Sequence, residues 1–237
     1  MKKSYVYLLT TFMLWGSLYV VSQFVLGKIP TFTVAMFRYL IAFIALSLIS
    51  LKSEKEKIEK SDYKYFFIMG FIGYFISVDC QLLGTKIAGG SMASLINSLN
   101  PVIISVMAMI ILNEKLEMNK IVGIVLSLAG VYMIIGTGAN IQFLGVLISF
   151  IAVIGWAFMS VISRKISNKY SALTLTKVSM LIATVCNIPV SFLEVQVTHP
   201  LIQVDLGAVL GLVYMGVFVR HFTNIFMGIK RFYLIAC

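Results

Sequence analysis

Uncharged apolar runs, each long enough to cross a bilayer, alternate along this chain with short clusters of lysine and glutamate. The runs reach roughly 18 to 23 residues, enough for a helix to traverse ~30 Å of hydrocarbon. Of the 237 residues, 60% are hydrophobic and only 12% charged, whereas a soluble domain carries about a quarter charged residues. The pattern predicts an all-α polytopic membrane protein. A transmembrane barrel would show short alternating strands instead. The first run, Tyr5 to Leu26, follows Met1-Lys2-Lys3. It is too long for a signal-peptide apolar region, lacks a convincing cleavage site and is followed by more spans, so it reads as the first helix.

Eight spans are expected, at about 5–26, 31–51, 64–84, 91–112, 118–136, 141–163, 172–193 and 206–228, punctuated by Gly, Pro and charged loops. Lysine and arginine alternate in these connections. Lys2, Lys3, Lys52, Lys55, Lys57, Lys60, Lys64, Lys115, Lys120, Arg164, Lys165 and Lys169 fall on one side, and only Lys28 and Lys86 on the other. By the positive-inside rule the N-terminus is then cytoplasmic, in the cell (cytoplasmic) membrane. The net charge of +10 is thereby explained by the lipid bilayer rather than by nucleic acid. The charged stretch 52–64 reads as a solvated cytoplasmic linker. Cys80, Cys186 and Cys237 have no paired spacing, and His199 and His221 are isolated, so no disulfide framework, metal site or cofactor is expected.

The chain also repeats itself. Trp15 and Trp156, the only tryptophans, stand 141 residues apart. Each precedes a lysine by thirteen residues (Lys28, Lys169) and a serine by seven (Ser22, Ser163). The next span of each half holds a cation, Arg38 or Lys177. The period corresponds to five helices. Five is odd, so the second copy must enter from the opposite side, and the lysine counts agree. Inverted five-helix repeats of this kind place transport sites near the midplane, where the halves meet.

The motifs "LWG" (14–16), "FRYLIA" (37–42), "SMASLINSLNPVIISVMAMIILNEKL" (91–116), "IVGIVLSLAGVYMI" (121–134), "WAFMSVISRKISNKYSALTLT" (156–176) and "GAVLGLVYMGVF" (207–218) resemble, in this order, the drug/metabolite transporter superfamily in its EamA-type two-repeat form. The stretch 91–134 is the most specific. The resemblance implies a ten-helix fold of two inverted five-helix repeats that moves small metabolites across membranes, often outward. It divides the chain into a first repeat, 1–137, and an incomplete second, 138–237. After "YMGVF" the sequence departs from the family pattern. Arg220 and His221 interrupt a short apolar run, followed by Lys230 and Arg231, which suggests that the reading frame changed near Val219 or that the chain was truncated after the eighth span.

Candidate pathway residues follow from cost. Arg38 lies seven residues into the second span, roughly 10 Å deep at 1.5 Å per residue, and Asp79 sits at similar depth in the third. Intramembrane charges need a partner or a wet cavity. They read either as a structural ion pair, or as a cation for a carboxylate substrate and an acid carrying a coupling proton. Lys177 is closer to the interface and can snorkel. In the fourth span, Ser94, Asn97, Ser98, Pro101 and Ser105 share one face at 100° per residue. Pro101 should kink that helix and free the Asn97 carbonyl, so this face is expected to line a cavity, with Asn100 off it as a packing contact. The same face could instead glue helices together. Gly89, Gly90, Gly123 and Gly130 are expected to allow close helix approach. Phe66, Phe67 and Phe75 read as packing or lipid-facing, while Tyr74 is a candidate for a cavity wall and Trp15 for the pathway. Glu114, Lys115 and Glu117 read as a solvated cap or loop salt bridge.

No Walker A loop, carboxylate cluster, histidine pair or nucleophile elbow is present, which argues against a pump or a membrane enzyme. The expected function is a secondary transporter, a permease or exporter of a small-molecule metabolite, working by alternating access. The second reading is a truncated, non-transporting remnant. A homo-oligomer would supply the missing surface, although no sequence feature points to one.

Overall fold

The computed structural model describes residues 2–51, 56–113, scattered positions between 121 and 133, 142–199, 202 and 204–218, with side chains from Met13 onward. Among the described residues all regular structure is helical. The elements are α1 (Lys2–Leu26), α2 (Thr31–Ser50), α3 (Lys60–Ala88), α4 (Gly90–Leu112), α5 (Phe143–Ile166), α6 (Ala172–Thr198) and α7 (Leu206–Val213, continued by a π-helical turn, Tyr214–Phe218). Helices α2 to α6 are each long and apolar enough to cross a membrane. The chain is thus an all-α polytopic membrane protein. Most of the fifth expected span (118–136), the side chains of Lys2 and Lys3, residues 52–55 and 114–120, and everything after Phe218 lie outside the described residues.

Two helices are irregular for visible reasons. In α4, α-helical Gly90–Asn97 and Asn100–Leu112 are separated by a turn at Ser98–Leu99. Pro101 occupies the first turn of the second piece, where its missing N–H is tolerated. In α3, Met69–Ile76 widens into a π-helix. Added Cβ atoms on Gly70 and Gly73 would come within 2.8 Å of the Ser179 carbonyl oxygen and 2.4 Å of Met159 Cβ. No side chain other than glycine's hydrogen fits there, and α3 lies close against α5 and α6. A π-turn leaves carbonyls poorly paired, and the Tyr39 hydroxyl donates to the Tyr74 carbonyl within it. Helix α3 ends at Gly89, whose φ of +84° favours glycine. Gly90 then donates its N–H to Gln23 Oε1 of α1 at 2.9 Å.

Gly90 therefore serves close approach as expected. Gly123 and Gly130 do not among the described residues, since a Cβ on either meets nothing within 4 Å. A small residue creates an opportunity for contact, and only the facing helix decides whether it is used.

The inverted relation is visible in α2 and α6, which pack antiparallel. At one end the Glu194 carboxylate accepts the N–H groups of Thr31 (2.8 Å), Phe32 (2.9 Å) and Thr33 (3.2 Å). At the other end Glu56, just beyond α2, accepts the Ser171 N–H at 3.0 Å, ahead of α6. Each helix N-terminus carries unpaired donors and partial positive charge. In each case a glutamate that follows or ends the partner helix satisfies them. Thr31 and Ala172, the first residues of the two helices, stand 141 positions apart, the same offset as the tryptophans.

The described part of the 52–64 stretch is more than a solvated linker. Lys169 donates to Glu59 (2.8 Å) and Asp62 (2.9 Å), and the Tyr170 hydroxyl donates to Asp62 (2.8 Å). The bonds to Glu59 and then Asp62 hold the Lys169 ammonium well above the ordinary lysine pKa. Acidic residues interspersed with lysines gave this segment the look of a self-neutralised tail, but its carboxylates are spent on the α5–α6 turn. Lys177 donates to Ser50 Oγ at 3.1 Å, at the same end.

Candidate functional site

Near the middle of the bundle, Trp15 and Leu18 of α1, Arg38 of α2, Gln81 of α3, Asn97 and Asn100 of α4, and Trp156 of α5 surround a cavity of about 60 Å³. That is room for about two waters at ~30 Å³ each. Trp15 and Trp156, the equivalent residues of the two halves, meet edge to face there, with ring centroids 6.4 Å apart and planes at 87°. Among the lining residues Arg38 alone is charged, and it is buried. Tyr19 Oη and Asn100 Oδ1, both at this cavity, are buried without a hydrogen-bond partner among the described residues. Buried polar atoms left unpaired are costly, so the cavity presents groups suited to a small polar guest.

Of the residues expected in the pathway, the structure gathers Trp15, Arg38 and Asn97 at this cavity. Ser94, Ser98 and Pro101 do not line it. Ser98 and Pro101 are exposed, and the serine hydroxyls are turned back onto their own helix, to the carbonyls of Ser91 and Leu95. The reason is the turn at Ser98–Leu99, which resets the helical phase, so counting 100° per residue across it fails. The same reset brings Asn100 to the cavity, where its side-chain amide donates to Asn97 Oδ1. Its assignment to packing is therefore corrected.

Tyr74 is buried behind the wall. Its ring packs edge to face on Trp156 at 5.9 Å and on Tyr39 at 6.3 Å. The expected Arg38–Asp79 pair does not form a hydrogen bond. Asp79 follows Val78, which lines the cavity, and is turned about 100° away from it, toward Asn187 of α6. Gln81, Asn100 and Asn187 went unread as site residues, although each is a lone amide within an apolar span, which is itself a signal.

At the end of the bundle that carries Glu194, a second cavity of about 500 Å³ opens among Gln23, Lys28, Pro30, Lys86, Glu194 and Thr198. Lys28 pairs with Asp205, which also caps α7 by accepting the Ala208 N–H at 2.8 Å. The bond from Lys28, then that from Ala208, holds the Asp205 carboxyl below the usual aspartate range.

A family model described as the EamA-like transporter family matches residues 2–136 and 143–232. That match runs past Val219. Similar curated proteins include the uncharacterized transporter YetK of Bacillus subtilis (strain 168), 28% identical over 199 residues, or 81% of this chain and 60% of YetK. An uncharacterized transporter of Clostridium kluyveri is 26% identical over 93% of this chain and 74% of its own length. One from Archaeoglobus fulgidus is 22% identical over 93% of this chain and 77% of its own length. The chain thus spans about 60% of YetK and about three quarters of the other two. A solved crystal structure shares the fold with a TM-score of 0.64 at 18% identity, covering 92% of this chain and 80% of its own.

Proposed function

This chain belongs to the EamA-like transporter family, and on that premise we propose that it is a secondary transporter of small metabolites that works by alternating access across the cytoplasmic membrane, with its N-terminus in the cytoplasm. The observation that carries this reading is the cavity where the two repeat-equivalent tryptophans meet beside Arg38. Arg38 suits a carboxylate or other anionic group on the substrate. Asn97, Asn100, Gln81 and Tyr19 suit its remaining polar atoms, and the indole rings suit an apolar or flat portion. The glutamate contacts at the two ends of the α2–α6 pair supply a means of closing either side.

The test is flux of a panel of small organic acids and amino acids into vesicles holding the purified protein. Arg38→Ala and Asn97→Ala should each lower flux about 10-fold or more, the size expected from losing an interaction worth ~1.4 kcal/mol, with membrane insertion unchanged. Full flux in both variants would overturn the site.

A further inference from the structure

A second polar site lies on the side of α3 that faces away from the cavity. Asp79 is 4% exposed and Asn187 is fully buried, and the two face one another between α3 and α6. Both Asp79 carboxylate oxygens and Asn187 Oδ1 lack a hydrogen-bond partner among the described residues. Asn187 Nδ2 is turned instead to the Ala183 carbonyl at 3.3 Å. Three buried acceptor atoms therefore share one small region with no donor among them.

The surroundings do not supply one. From α2 comes Arg38, whose guanidinium lines the central cavity. From α6 come Glu194, already engaged by three backbone N–H groups of α2, and Cys186. Cys80 adjoins Asp79 on its own helix. Neither α1 nor α5 contributes a charged group that acts on Asp79. A buried carboxylate without donors is strongly disfavoured in its ionised form, the more so at membrane depth. What the region lacks is a positive centre that can also donate.

We propose that Asp79 and Asn187 form a proton-binding site separate from the central cavity. A proton delivered from water joins one Asp79 oxygen, removing the charge, and the resulting O–H donates to Asn187 Oδ1. One proton thus satisfies a donor-free set of acceptors. A metal cation fits less well, because a hard cation such as calcium gathers about six or more oxygen ligands and three are on offer. The site's use rests on the transporter reading: a proton taken up on one face and released on the other couples flux to the proton gradient.

The test is infrared difference spectroscopy of the full chain in vesicles. At neutral pH the wild type should show a protonated-carboxyl C=O band that shifts in D2O. The band should vanish in Asp79→Asn and change frequency in Asn187→Ala, which keeps the acid and removes its acceptor. Identical wild-type and Asp79→Asn spectra would overturn the proposal, and so would an Asn187→Ala band at the wild-type frequency. A wild type without the acid band, whose carboxylate band moves on adding sodium chloride at fixed pH, would assign the site to an alkali cation and overturn it too. Substrate flux in the same vesicles reads the other question separately. Its absence counts against the transporter reading, while the band still establishes the proton site.

Discussion

At the scale of single residues, closeness decides what each position tolerates. A Cβ added at Gly145 of α5 would sit 2.7 Å from both the Cβ and the backbone nitrogen of Ala88. Backbone cannot move aside as the end of a long side chain can, so Gly145→Ala should destabilise the protein by about 1–3 kcal/mol, the usual cost of overpacking. Gly16 of α1 is the contrast, since a Cβ there meets nothing within 4 Å. Gly16→Ala should be neutral or gain up to ~1 kcal/mol from restricting the unfolded chain. Thermal melts of both variants in one detergent check the pair. The same scale shows what could be read beforehand. Arg38 and Trp15 were legible because a charge at membrane depth and a repeated tryptophan are conspicuous against leucine and valine. Asn100 was not, because its direction depends on where α4 breaks, and one residue of phase moves a side chain from wall to lipid.

At the scale of elements, the helix N-termini of the two halves depend on glutamates from elsewhere in the chain. Glu194→Ala leaves three N–H groups of α2 without their acceptor, at a cost of about 1–3 kcal/mol for a partly buried end. Amide exchange at Thr31, Phe32 and Thr33 should rise in this variant, and less in Glu194→Gln, which keeps an acceptor oxygen. The Lys28–Asp205 pair ties the ends of α1 and α7 in a pH-dependent way. Its carboxyl is held below the usual aspartate value. Its contribution is therefore fully present above about pH 3.9 and is lost as the pH falls through the folded value. The melting-temperature gap between wild type and Asp205→Asn should shrink over that acid range, and also with added salt, since the pair is exposed. The existence of these helices was plain from charge-free length. The partners of their ends were not, because Glu194 and Glu56 lie more than a hundred residues from the amides they serve.

At the scale of the whole molecule, the α2–α6 pair is the element that both faces share. Thr33 Oγ1 and Ser191 Oγ lie 3.0 Å apart at the Glu194 end. In a background with Cys80, Cys186 and Cys237 replaced, Thr33→Cys with Ser191→Cys should cross-link on oxidation and hold that end shut. Flux should then fall to background and return with reductant. Undiminished flux in the cross-linked protein would show that this end need not open. The all-α architecture was readable because hydrocarbon leaves the backbone few alternatives to helix. The approach of one half to the other was readable only as a period of 141 residues, since sequence spacing carries no distance.

The meeting of Trp15 with Trp156 has a consequence for direction. Two residues that hold the same place in oppositely oriented halves can touch only near the line that relates those halves. A guest lodged beside them therefore faces similar indole floors whether it arrived from one side or the other. So far as the aromatic walls are concerned, the seat has no front and no back. Arg38 is the feature on one wall that lacks an arginine at the equivalent place in the other half, where Ser179 stands. Whatever preference the seat has for loading from one face must come from such unmatched residues, and the net flow of cargo from the gradients on either side.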